Sequence, residues 1–323
     1  MMNYKDGILS AGVPVGNQGF ITQGTSFFVD PVNGNDGFNG KKINKAFKTL
    51  TAAYNACTTN KNDVIYYLAG ASAISLTAKL TIDKNFVHLI GISSNCVLGG
   101  RARIFQAAAT TGLTPMVDVT GTGNTFRNIY FYQGVADATS KGCVQVTGTK
   151  NCFENCHIYG IGGNDLQDAA GAYSLCLNDA DENRFVNCLI GGDTISAGTA
   201  ANSDVLFDAG ASKNNFDDCV FYRRIEHNTN HPLLKMADAG GLSGLTWFRN
   251  CTFIYTSVSG AYHGTYIFGL ETPTDGITKI VLKNCSAFSG NATTIAWAAA
   301  TGVIHADMAV TEANAGGGLA TDL

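Results

Sequence analysis

The sequence predicts an all-β chain: a single-stranded right-handed parallel β-helix (solenoid) with a short N-terminal capping α-helix. Three observations predict it: a phrase that keeps returning, an apolar alternation ahead of each return, and a turn-rich composition. The phrase reads "NCFENCHIY" from Asn151, "NRFVNCLI" from Asn183, "NNFDDCVF" from Asn214 and "TWFRNCTF" from Thr246. Aligned, it sets Phe126, Phe153, Phe185, Phe216, Phe248 and Leu282 at one position. Two residues further on stand Asn128, Asn155, Asn187, Asp218, Asn250 and Asn284, followed by Ile129, Cys156, Cys188, Cys219, Cys251 and Cys285. Self-similarity at intervals of 27 to 34 residues marks a stack of repeats, each too small to bury its own apolar face.

Residues 1–26 come first and show little periodicity. Tyr4, Ile8, Leu9, Val13, Val15 and Phe20 are isolated among glycines, as in an extended arm that orders against something else. Three readings stand open, a floppy terminus, a segment laid along its own solenoid, or a tether to a neighbouring subunit, and for the last Tyr4, Ile8, Val13 and Phe20 are the partner-binding candidates. Residues 27–62 supply an opening strand, a loop and a helix. Asn44 is placed to cap that helix, whose apolar residues Phe47, Leu50, Ala53, Tyr54 and Cys57 recur at helical spacing. A solenoid has an open apolar end, and this helix is the expected lid. The loop "DPVNGNDG" from Asp30 reads as Asx-type turns, since it lacks the spacing and terminal glutamate of an EF-hand.

The coils are expected over 63–290. Each has an alternating segment, "MVDVTG" from Met116, "CVQVTG" from Cys143, "SLCLND" from Ser174, "VLFDAG" from Val205 or "LLKMAD" from Leu233, and clusters of Gly, Asn and Asp between strands. Coils stack about 4.8 Å apart, so each recurring position becomes a vertical file. Phe and Leu then pile inside the core, and Cys serves as a small buried hydrophobe. Asn can hand side-chain amide hydrogen bonds from coil to coil; Asp218 keeps the acceptor and loses the donor. Residues 291–323 lack the phrase and are expected to close the last coils and end in a Gly-rich tail.

Composition excludes some functions. The net charge of -4 gives no electrostatic footprint for nucleic acid. No run approaches the length of apolar sequence that a membrane helix needs. The N-terminus lacks the positive end and apolar core of an export signal, so the expectation is synthesis in a cytoplasm with reduced thiols. Neither the cysteines nor the isolated histidines group into a metal site, and no cofactor fingerprint is present.

The carboxylates need a hearing because glycoside cleavage uses two of them across a cleft. Asp179, Asp181 and Glu182 sit in "NDADEN", where neighbouring repeats carry turns, and Asp217 adjoins the file member Asp218. The strongest surface feature is "YRRIEHNTNH" from Tyr222, which gathers Arg223, Arg224, Glu226, His227 and His231 as candidates for a glycan, an acid-base histidine or a subunit contact. No catalytic residue is assigned, and the expectation is a chain that is not an enzyme.

The opening "FFVDPVNGNDGFNG", with "KAFKTLTAAYNAC" and "DVIYYLAG", resembles the start of pectate-lyase-like right-handed β-helix domains. With the arm "KDGILSAGVPVG", the strand "HLIGI" and the "NCFENCHI" coils, the chain is similar to β-helix proteins encoded among the head genes of tailed bacteriophages. That resemblance implies a virion structural protein, assembled in the bacterial cytoplasm and decorating or cementing the capsid. Its implied partners are the major capsid protein or other virion proteins, and further copies of itself in a trimer. A competing reading is a tail spike or fibre that binds or depolymerises host surface polysaccharide.

Overall fold

The computed structural model describes residues 24–70, 72–93, 102–198, 201–227, 232–259, 262, 264, 266–270, 279–289, 296–298 and 304–306, with the strand pairs 9–10 and 13–14. The chain is a parallel β-solenoid of three sheets, one of ten strands and two of eight, in which every solenoid strand pairs in parallel with its counterpart one coil away. One coil shows the plan. Cys152–Glu154 lies in the ten-stranded first sheet, His157–Tyr159 in the second sheet and Tyr173–Asn178 in the third.

The recurring positions stand in register. Phe126, Phe153, Phe185, Phe216 and Phe248 pair in succession through the first sheet, with ring centroids 4.6 to 4.9 Å apart and planes within 18° of parallel. Leu89 precedes this file and Leu282 follows it. Cys156, Cys188, Cys219, Cys251 and Cys285 are all free and buried. Each thiol points at a carbonyl of the file one coil back, Cys156 at Phe126 and Cys285 at Phe248, both at 3.4 Å. Burial pushes the Cys156 and Cys219 thiols up, and the neighbouring Cys188 thiol adds to that shift.

The turn between first and second sheets is one residue in the left-handed region: Asn128, Asn155, Asn187, Asp218, Asn250 and Asn284 have φ of 51 to 57°. Asn tolerates that conformation better than most side chains. Its amide also links coils: Asn155 donates to Asn128 at 2.7 Å, Asn187 to Asn155 at 3.2 Å, Asn250 to Asp218 at 3.0 Å and Asn284 to Asn250 at 2.9 Å. A second file, buried at the turn before the first sheet, comprises Asn124, Asn151, Asn183 and Asn214. In it the backbone N–H of each residue donates to the side-chain oxygen of the next, at 2.9 to 3.0 Å. Thr246 ends that file, and its hydroxyl is buried without a partner among the described residues.

One expectation is corrected. The capping helix is Leu50–Ala56 and starts at Thr49, whose side chain accepts from Ala52 N–H; Ile43–Lys45 is a separate 3-10 turn. The chain between them is extended because Phe47 bridges to Val29. The helix still packs Leu50, Ala53 and Tyr54 onto the end of the core. The loop before it closes on Asx turns, with Asp30 accepting from the N–H groups of Val32 and Asn33. The solenoid also continues past residue 290: Ala296–Ala298 joins the third sheet and Ile304–Ala306 the first. Within the arm, Leu9–Ser10 and Val13–Pro14 form a small antiparallel pair in which Val13 faces Ser10. Tyr4, Ile8 and Phe20 lie outside the described residues.

Candidate binding faces of the solenoid

Alternation along each strand sends every second side chain outward, so functional groups must be sought on three outer faces and the corners between them. The segment from Tyr222 splits on this rule. Val220–Ile225 is a strand of the second sheet, and Phe221, Arg223 and Ile225 point inward. Arg223 is 3% exposed. Its Nε donates to Asp204 at 2.8 Å and its Nη1 to the Asn202 side chain at 3.1 Å, while Ser174 donates to the other Asp204 oxygen. Burial holds the Asp204 carboxyl above its usual value, against the opposing pull of Arg223. The candidate partner-binding residue Arg223 is therefore a corner brace. Arg224 and Glu226 are half-buried and His227 is exposed beside Tyr262, so they share the segment without forming one cluster; His231 lies outside the described residues.

The outer face of the second sheet is aromatic. Tyr130 stacks on His157 at 4.2 Å, Tyr132 lies 5.9 Å from Tyr159, and the Arg103 guanidinium sits over Phe105 and Tyr132. The loop carrying the short helix Asn164–Gln167 covers part of it, packing Leu166 against Tyr159. His157 is 8% exposed; its Nε2 lies 2.9 Å from the Gly191 carbonyl, which assigns the proton to that nitrogen. Nδ1 is buried without a partner among the described residues, and burial pushes the imidazole down to about 4.

On the third sheet Asp118 pairs with Lys79 at 3.1 Å and Asp208 accepts from Asn178 at 3.2 Å. Register places them three coils apart, at least about 14 Å along the axis, which exceeds the separation that glycoside cleavage uses. Two further candidate carboxylates are held across neighbouring coils. Asp181 accepts from Ser212, and Glu182 lies between Lys150 and Lys213 at 3.6 and 3.9 Å.

The first sheet carries the feature that sequence reasoning missed. Residues flanking each Phe point outward, and there Asp217 accepts from Arg184 Nε at 2.9 Å and Arg249 Nε at 2.6 Å. Arg127 pairs with Glu154 on the same face. The signal lay inside the phrase itself, in "RFV", "NFD" and "WFR", where neighbours of the buried ring must face solvent.

No family model matches this chain, and no curated protein is similar to it in sequence. Solved structures are similar to it in fold. A pectin methylesterase from Aspergillus niger has a TM-score of 0.56 at 14% identity, over 88% of this chain and 85% of that one. The pectate lyase Pel9A has a TM-score of 0.56 at 16% identity, over 87% of this chain and 69% of that one. A pectin methylesterase in complex with a hexasaccharide has a TM-score of 0.50 at 14% identity, over 84% and 80%. The likeness fixes a pectate-lyase-like right-handed β-helix fold. It also corrects the expectation of a chain that is not an enzyme: these neighbours are enzymes, so the fold gives no ground for setting catalysis aside.

Proposed function

We propose that the chain is a structural protein of a tailed bacteriophage virion, associated with the capsid. The observation that carries this reading is the unbroken superposition of coils from Leu89 to Leu282, which makes a rigid shaft with flat, repeating faces. Such a shaft suits a protein used in many copies on a repetitive lattice, where the same contacts recur around each symmetry axis. The class of assembly is taken from short segments, the "HLIGI" strand and the "NCFENCHI" coils, that resemble those of head-encoded β-helix proteins. Its partners are then the major capsid protein or another virion protein, and further copies of this chain in a trimer. Gold labelling of purified particles tests the reading: label over the head is expected, and label confined to the tail, or none, overturns it.

A second reading is favoured by one observation, the half-exposed Tyr130 and Tyr132 with Arg103 on the second sheet. Flat aromatic faces beside a guanidinium suit a sugar ring, and the fold's solved examples include an esterase holding a hexasaccharide. The chain is then a tail spike or fibre that binds or depolymerises host polysaccharide. Affinity electrophoresis in that polysaccharide decides it: retardation of the native chain, lost in Tyr130→Ala/Tyr132→Ala, supports this reading and equal mobility refutes it.

A further inference from the structure

We infer that the outer face of the first sheet around Arg184, Trp247 and Arg249 is a docking surface for a protein surface rich in carboxylates. The register aligns Arg184, Asn215, Trp247 and Val281 in one outward file, with Val186, Asp217, Arg249 and Lys283 in the next. Asp217 is 7% exposed and serves two guanidiniums whose side chains are 59% and 40% exposed. Arg249 is fixed further by Asn215 at 3.1 Å. Arg184 uses Nε alone, so both its Nη groups are available for an incoming carboxylate among the described contacts. One buried anion thus holds two exposed cations two coils apart, about 10 Å. The fork geometry of each matches a carboxylate in a bidentate pair.

The surroundings are those of an interface centre. Trp247 is half-exposed beside Arg249 on the same strand, two coils along the file from Arg184, and Leu245 on that strand is 40% exposed. Trp and Arg at the middle of a patch, with apolar neighbours and a polar rim, are the side chains that dominate protein contacts. Charge selects the partner. From the strand at Thr125 to that at Lys279 the outward positions hold five cations (Arg127, Arg184, Arg249, Lys279, Lys283) against two carboxylates (Glu154, Asp217), while the whole chain carries -4. A positive flat face on an acidic protein fits an acidic flat face.

The partner's place in the virion rests on the proposed function; the face does not. The experiment therefore has two arms, each with the full-length chain and with melting curves to establish that variants are folded. In the first, immobilised poly-L-glutamate is the carboxylate probe. Arg184→Ala/Arg249→Ala should weaken binding at least tenfold, and Asp217→Asn should weaken it too, although it makes the chain less acidic. Tighter binding by Asp217→Asn, or an equal loss from Lys41→Ala/Lys42→Ala, overturns the site in favour of bulk charge. Preference for an acidic polysaccharide over polyglutamate overturns it in favour of a glycan surface. In the second arm, virus particles lacking this protein are offered the same variants. Binding to polyglutamate without binding to particles overturns the virion reading and leaves the docking face standing.

Discussion

Asn250 donates its side-chain amide to Asp218 at 3.0 Å, and Asp218 has no amide to pass on to Asn187 one coil back. The file is complete on either side of this step and broken at it. Asp218→Asn supplies the missing donor at a position whose φ of 54° Asn accepts. The substitution should raise stability by about 0.5 to 1 kcal/mol, the net worth of an exposed hydrogen bond. Urea unfolding of the two proteins checks it, and an unchanged midpoint would show that the file contributes geometry without stability.

The second Asn file fails at Thr246, whose hydroxyl is buried and unpartnered among the described residues. Thr246→Asn extends the series of Asn124, Asn151, Asn183 and Asn214 by one coil and should stabilise by about 1 kcal/mol. A lowered melting temperature would mean that the pocket cannot take the larger amide.

Arg223 and Asp204 form a buried ion pair with side chains 4% and 2% exposed. Removing one partner leaves a buried charge, so Arg223→Ala should cost about 3 to 5 kcal/mol, whereas Arg223→Met with Asp204→Leu should cost much less. Equal losses in the single and double variants, measured by denaturant midpoints, would contradict the brace.

His157 and His88 are each pushed down by burial to about 4, from 6.5. The unfolded chain takes up these protons near 6.5 and the folded chain only near 4, so stability is complete above the first value and is lost as pH falls toward the second. For His157 the full difference corresponds to about 3 kcal/mol. Urea midpoints at pH 7 and 4.5 should differ, and His157→Phe, which keeps the stack on Tyr130, should flatten part of the slope. A midpoint independent of pH over that range would refute the neutral buried imidazole.

The files were legible because one recurring side chain must lie over the next once coils stack, so Phe153, Asn155 and Cys156 needed only alignment. The start of the helix was less so: Asn44 and Thr49 are both good caps, and the choice was made by Phe47 bridging to Val29, a contact distant in sequence. The segment from Tyr222 reads as a charged loop until strand pairing shows that Arg223 and Arg224 face opposite ways. The partner of Arg223 lies 19 residues away on another sheet, which no local pattern reveals. The arginine pair on the first sheet lies in the phrase at positions that do not repeat, "RFV", "NFD" and "WFR", so only the buried positions line up from coil to coil.

The most direct test places a photo-cross-linking phenylalanine analogue at position 247 in assembled particles. An adduct with a capsid protein is expected, and it should be lost when Arg184 and Arg249 are both replaced by Ala. Adducts that form from position 132 on the second sheet and not from 247, or that reach only tail proteins, would contradict it.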